Sequence, residues 1–415
     1  MMKMTKEMQN LLNEDCRRIG DAETEKVYRN CFGCTWDTTL CRLEDGTSFC
    51  ITGDIEAMWL RDSSMQVLPY LRALSDGQVN AAIKGLIWKQ AEQILTDPYA
   101  NAFNKDGDYA CFRRDKTEMG PYIWERKYEV DSLAFPLFLL EEYYKRKKDD
   151  VVTDRVKEAI CTVIHVWKSE QNHENSNYRF ERDSELPTET LCNEGKGSPT
   201  SFTGMTWSGF RPSDDACTYH YLIPSNMLAA VVLKGVQNLP LEKEIVEEAK
   251  ALAEQIEDGI YKWGVVRHPE FGEIFAYEVD GLGNYLLMDD ANLPSLLGAP
   301  WFGFCKKNSP VYQNTRRFLL SKFNPFYYSG KLAKGIGSPH TPKGYVWHIA
   351  LAVQGLTADS MEEKKEVLNT LLSTTAGTFH MHEGFHPDRP EEFTRPWFAW
   401  ADSMFCLLAA EVYGL

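Results

Sequence analysis

Two kinds of helical segment alternate along the chain. LEKEIVEEAKALAEQIEDGIYKW (241–263) shows the first kind: Ile245, Ala249, Leu252, Ile256 and Ile260 recur at helical spacing, with charges on the opposite face. Comparable amphipathic stretches lie near 5–18, 80–95, 151–170, 309–322 and 360–372. Between them stand segments in which acids and aromatics lead into a run that is apolar nearly all round. These are TGDIEAMWLRDSSMQVLPYL (52–71), WERKYEVDSLAFPLFLL (124–140), RPSDDACTYHYLIPSNMLAAVVL (211–233), VDGLGNYLLMDDANLPSLLGAP (279–300), SPHTPKGYVWHIALAVQGL (338–356) and TRPWFAWADSMFCLLAAEVYGL (394–415). A helix with one apolar stripe covers a core, and one apolar on all sides lies within it. Six outer helices alternating with six inner ones predict an all-α toroid of six hairpins, an (α/α)6 barrel. The six polar clusters then gather where the inner helices begin, which is where a pocket is expected. An open array of helix pairs would keep them apart. No Pro/Ser-rich linker divides the chain, so a single domain over 1–415 is expected, with long loops near 96–123 and 172–211 shaping the pocket.

Charge and composition narrow the partners. The net charge is −15, and the longest basic run is Lys145-Arg146-Lys147-Lys148, at a predicted helix end where positive charge suits the dipole. Binding to nucleic acid needs a positive field that this chain lacks. The segment MMKMTKEMQNLLNEDC has no apolar signal region and no stretch approaches eighteen apolar residues, so neither secretion nor a membrane span is expected. Eleven cysteines, an odd number, suit a reducing cytoplasm better than a disulfide framework. Cys31-x-x-Cys34 lacks the second close pair of a structural zinc site and is read as reduced thiols, together with Cys41 and Cys50. Eleven tryptophans and nineteen tyrosines serve a large core or a site for a flat, ring-shaped ligand such as a sugar.

Among candidate chemistries, HEGFH (382–386) matches the zinc-protease pattern H-E-x-x-H, which works by placing both histidines on one helical face. Gly384 weakens such a helix and Pro387 biases His386 away from helical geometry. A sugar epimerase would instead use histidines, with His340, His348, His380 and His382 available. Gly281-x-Gly283 and Gly335-x-Gly337 are too short to be phosphate fingerprints. Separated carboxylates in an aromatic cavity suit glycosidic hydrolysis, in which one acid protonates the leaving oxygen and another activates water or attacks. Asp54, Glu56, Asp62, Glu129, Asp131, Asp214, Asp215, Asp289, Asp290, Glu383 and Asp402 are the candidates. Spacing does not choose among them, and each could equally cap a helix or bind a sugar hydroxyl.

TGDIEAMWLRDSS, IWERKYEVDS, TGMTWSGFRPSDDACTYHYLIPSNM, YEVDGLGNYLLMDDANLPSLL and MHEGFH together resemble glycoside hydrolase family 125, from about residue 30 onward. The resemblance implies an (α/α)6 barrel and an exo-acting, inverting, metal-independent α-1,6-mannosidase that needs no cofactor. It places the general acid on Asp214, the first acid of SDD, and the general base on Glu383. Asp214 is then expected to be protonated at rest and Glu383 ionised, with Asp215 turned away from the substrate. Arg61 and Asp62 are expected to clamp hydroxyls of the terminal mannose or, alternatively, to form a buried ion pair anchoring the first inner helix. Trp59, Asp131, Tyr221 and His340 complete the expected sugar contacts. The family often has serine where this chain has Gly384, and Cys31-x-x-Cys34 is not part of its pattern.

Overall fold

The computed structural model describes residues 2–415. Its outer layer holds the six amphipathic helices, at Lys6–Ile19, Gly77–Thr96, Asp154–Ser169, Lys243–Trp263, Pro310–Leu319 and Met361–Ser373. In the fourth of these the burial of Ala249, Leu252, Ala253, Ile256, Gly259 and Ile260 realises the stripe written in the sequence. Side-chain caps start several of them. Thr5, Asp76, Thr153 and Ser360 accept from backbone N–H groups that have no partner within the first turn.

Inner helices run over Leu60–Gln66, Val130–Lys147, Ile223–Gly235, His348–Leu356 and Ala399–Tyr413. The first packs on the second, the second on the third, the fourth on the fifth, and the fifth returns to the first. The remaining place in the ring was expected to be a helix within 279–300 and is instead a series of turns between 289 and 304. Pro294, Gly298 and Pro300 explain the difference. Two prolines and a glycine within seven residues remove helical donors and disfavour helical backbone before each proline. Asp289 compensates by accepting from the backbone N–H of Leu296 and Leu297, both at 2.9 Å. Trp301 then packs on Phe138 with ring centroids 6.0 Å apart, joining this segment to the second inner helix.

An additional helix, Ala22–Cys34, lies against Ala399–Tyr413 and buries Val27, Tyr28, Cys31, Phe32 and Cys34. Short antiparallel ribbons precede three inner helices. Met58–Trp59 pairs with Ala102–Phe103, which pairs with Ile123–Glu125. Tyr221–Leu222 joins Glu278–Val279, and Val346–Trp347 joins Gly384–His386. Each ties a long loop to the start of an inner helix, so loops and helix starts share one end of the barrel.

Candidate active site

At that end lies a cavity of about 410 Å³, within the usual size for small-molecule sites. The first inner helix supplies its floor. Trp59 closes the preceding strand, and Arg61 and Asp62 occupy the helix's first turn. Arg61 is 2 % exposed yet faces four carboxylates. Its Nη1 donates to Glu129 at 2.5 Å and Asp131 at 3.2 Å, Nη2 stands 3.6 Å from Asp214, and Nε stands 3.7 Å from Asp62. One guanidinium cannot neutralise four charges, and the titrations divide accordingly. Burial, with Asp214 and Asp131 adding to it, holds Glu129 well above the ordinary glutamate value despite Arg61. Burial also lifts Asp62 to about 6 against the pull of Arg61 and Arg395.

Asp214 behaves differently. Burial raises its carboxyl, but Arg61 and then Lys127 outweigh that and hold it at about 2. In the ligand-free protein Arg61 and Lys127 thus favour the ionised form of Asp214, against the protonated form that the resemblance implied. The turn carrying it is fixed from several sides. Lys127 Nζ donates to the Asp214 carbonyl at 2.6 Å, Asn101 Nδ2 to its carboxylate at 3.3 Å, and Arg211 Nε to Glu278 at 2.6 Å. Asp214 has φ +68°, a left-handed conformation uncommon for a non-glycine residue and frequent where strain serves a site. The turn directs Asp214 into the cavity and Asp215 into the protein, where Asp215 Oδ1 lies 3.0 Å from His340 Nδ1. Burial lowers the His340 value, but the bond to Asp215 raises it to about 9, so the ring is an imidazolium at the cavity wall.

Glu383 enters from the loop preceding the strand Gly384–His386. Its Oε2 accepts from Thr394 Oγ1 at 3.0 Å, and Arg395 Nη1 lies 4.0 Å from Oε1. Arg395 is itself held by Thr52 at 2.8 Å and by Asp54. A Cβ on Gly384 would stand 3.1 Å from the Trp347 indole nitrogen, so glycine here lets Trp347 pack closely at the cavity edge.

Asp214, Glu383, Trp59, Arg61, Asp62 and His340 thus line one cavity. Asp131 and Tyr221 do not. Asp131 lies beneath Arg61 and accepts from Ser225 at 3.0 Å. Tyr221 is a buried strand residue whose hydroxyl reaches the Gln171 carbonyl. Direct contact of these two with substrate is corrected on that ground. Asp289 and Asp290 are also buried outside the cavity wall, and Glu56 is exposed beyond it. Glu125, Lys127, Arg182, Asn292 and Arg395 line the cavity and were not singled out from the sequence. Glu125 and Lys127 stand within a motif already quoted, but the signs of Arg182 and Arg395 reach the cavity only through long-range folding.

The zinc-protease reading fails on geometry. Gly384–His386 is a strand, His382 is buried with its ring stacked 3.7 Å from Phe393, and no helix carries the two histidines. The epimerase reading loses its bases. Burial pushes His348 down to about 3 and lowers His382, neither lines the cavity, and His340 is held charged by Asp215.

Residues 21–410 match the sequence profile described as metal-independent alpha-mannosidase, GH125. The chain belongs to glycoside hydrolase family 125. It is 36 % identical over 436 residues to the meiotically up-regulated gene 157 protein of Schizosaccharomyces pombe, covering 98 % of this chain and 86 % of that protein. It is 44 % identical to a metal-independent alpha mannosidase of Streptococcus pneumoniae, solved in a non-productive complex with alpha-1,6-mannobiose. All of both chains align, with a TM-score of 0.98. A bacterial glucoamylase complexed with acarbose shares the fold alone, at 12 % identity and a TM-score of 0.55 over 86 % of this chain and 49 % of that one. The protein is therefore a glycoside hydrolase, an α-mannosidase built on an (α/α)6 barrel.

Proposed function

We propose that this mannosidase removes terminal mannose from α-1,6-linked mannosides by inversion, with Asp214 as general acid and Glu383 as general base. The observation that carries the reading is the entry of these two carboxylates into one cavity from loops about 170 residues apart, on the positions the family resemblance marks. The non-productive mannobiose complex of the pneumococcal relative supports the linkage. Trp59 Nε1 is a buried donor with no protein partner, and Arg61 and Asp62 lie beside it. Together they offer both donors and acceptors to the hydroxyls of a terminal sugar.

Asp214 needs a proton before it can act as an acid. Glu129 and Asp214 are close enough for one carboxyl to hydrogen-bond the other, and Glu129 is the one that burial keeps neutral. We assign Glu129 as the source: its proton passes to Asp214 as the sugar displaces water from the cavity, leaving a Glu129 carboxylate against Arg61. Asp214 then gives the proton to the glycosidic oxygen as the C–O bond breaks. Glu383, aligned by Thr394, takes a proton from the water that attacks the anomeric carbon from the other face.

The test is the first-formed product from synthetic α-1,6-mannobiose, followed by proton NMR. β-Mannose is expected, and α-mannose would reject inversion. In a substrate complex the two carboxyls should stand about 6.5–9.5 Å apart, leaving room for water, rather than about 5–5.5 Å. Short N-glycan fragments taken up into the cytoplasm are the proposed natural substrates. Recovery of the protein mainly outside intact cells would contradict that location.

A further inference from the structure

Outside the cavity, the fold brings three metal-ligating side chains together from distant segments. Cys31 lies in the last turn of Ala22–Cys34, Asp402 in the first turn of Ala399–Tyr413, and His380 in the loop after Ser373. Cys31 Sγ is 3.1 Å from Asp402 Oδ1, and His380 Nδ1 is 2.7 Å from Asp402 Oδ2. One ligand atom from each lies within 4.8 Å of the other two. The Cys34 thiol, one turn beyond Cys31, stands 3.9 Å from Thr38 Oγ1 and is not one of these three ligands. Cys31-x-x-Cys34 has no second pair in the sequence; His380 and Asp402 join Cys31 in space.

We propose that Cys31, His380 and Asp402 bind a zinc-type divalent cation, with water as the fourth ligand. Sulfur, imidazole nitrogen and carboxylate oxygen form a donor set suited to zinc, whereas magnesium and calcium favour oxygen alone. With Zn–S about 2.3 Å and Zn–N or Zn–O about 2.0–2.2 Å, tetrahedral neighbours stand about 3.3–3.6 Å apart. The present 3.1 and 2.7 Å contacts are hydrogen bonds, which the ion would open by about 0.5 Å as it replaces their protons. The Cys31 thiol and the His380 Nδ1–H each lose one proton to solvent, so up to two leave per ion, and affinity falls as pH falls.

The surroundings favour a preformed site. Met381 N donates to Asp402 Oδ1 at 2.7 Å and fixes the carboxylate. Ala376, Gly377 and Phe379 all have positive φ, so the backbone before His380 is held in a specific turn. Cys31 and Asp402 are buried, while the His380 side chain is 34 % exposed and gives an ion a way in from solvent. The site ties two helices to the loop that leads into Glu383, yet none of its ligands lines the cavity. Its role is to brace that loop, and hydrolysis itself proceeds without it, in keeping with a family described as metal-independent.

A simple hydrogen-bonded cluster would be served as well by serine at position 31, and that distinguishes the two cases. Untagged, reduced, metal-stripped protein is titrated with Co²⁺ and then Zn²⁺. One Co²⁺ per chain should bind with a thiolate-to-metal charge-transfer band, zinc should displace it, and zinc should raise the melting temperature. Even outer-shell changes cost about 10–100-fold in metal affinity, so C31S should weaken zinc at least about 100-fold and abolish the band. H380Q changes a partly exposed residue and should weaken zinc similarly, with an unchanged melting temperature in the absence of metal. Mannose release, assayed well below the melting temperature, should be the same with and without zinc. Absence of the charge-transfer band, or equal zinc affinity in C31S or H380Q, overturns the proposal.

Discussion

His340 Nδ1 lies 3.0 Å from Asp215 Oδ1, so the acid next to Asp214 in the chain holds an imidazolium at the cavity wall. Adjacent carboxylates thereby take unlike tasks. Asp214 faces the cavity, while Asp215 is 2 % exposed and supports a positive charge within it.

The His340 ring should titrate with a midpoint at about 9, observed through its ring proton signals. A raised folded value means that the pair's contribution to stability is present below the ordinary histidine value, about 6.5, and is lost as pH rises through about 9. In Asp215→Asn the midpoint should fall, because only the charges of Glu383 and Asp214 then oppose burial. An unchanged midpoint would show that Asp215 is not its cause.

Arg61 and Asp62 should separate stability from catalysis. The folded Asp62 value is raised to about 6. Its contribution is therefore favourable below about 4, is lost as pH rises through about 6, and Asp62→Asn should leave the melting temperature at pH 8 unchanged or higher. Turnover of α-1,6-mannobiose should nonetheless fall strongly if Asp62 grips the sugar. Arg61→Met should instead unfold readily, since stranding a buried charge typically costs about 3–5 kcal/mol and three or more acids would be stranded here. Thermal unfolding beside steady-state kinetics checks both; collapse of Asp62→Asn would point to an ion-pair anchor.

Leaving-group dependence should distinguish the two catalytic carboxylates. Asp214→Ala should slow mannobiose hydrolysis by about 10²–10⁴-fold and spare an activated aryl mannoside. Glu383→Gln should abolish turnover of both, because no water is activated. Equal losses for Asp214→Ala on both substrates would remove it from the acid role.

The proton source has its own signature. Because the acid must be protonated, kcat/KM should fall as pH rises past the upper titration of the Glu129–Asp214 pair. In Glu129→Gln that alkaline limb should move to lower pH, since Arg61 and Lys127 still favour the Asp214 carboxylate and the group that burial holds neutral is gone. A limb that stays in place would assign the proton to another group.

The outer helices were legible because a one-sided stripe such as Ile245, Ala249, Leu252, Ile256 and Ile260 needs only local periodicity to be recognised. The same segment-by-segment logic failed at 289–304, where apolar content suggested a helix but Pro294, Gly298 and Pro300 forbade it. It also missed Ala22–Cys34, whose buried stripe of Thr24, Val27, Tyr28, Cys31 and Phe32 is regular but short and stands outside the six-fold alternation.

By itself the sequence determined the alternation of inner and outer helices, the family, and the segments bearing Asp214 and Glu383. Those features rest on local pattern and on long specific motifs. Only the tertiary structure decided which acids face the cavity, because that depends on the direction a turn takes. The left-handed backbone at Asp214 sends one carboxylate inward while its neighbour pairs with a histidine 125 residues away. Charge states were likewise undecidable along the chain: Asp214 at about 2 and Asp62 at about 6 differ through burial and their distance from Arg61, Lys127 and Arg395. Electrostatic energies depend on separation in space and on exclusion of water, and neither quantity is a property of sequence spacing.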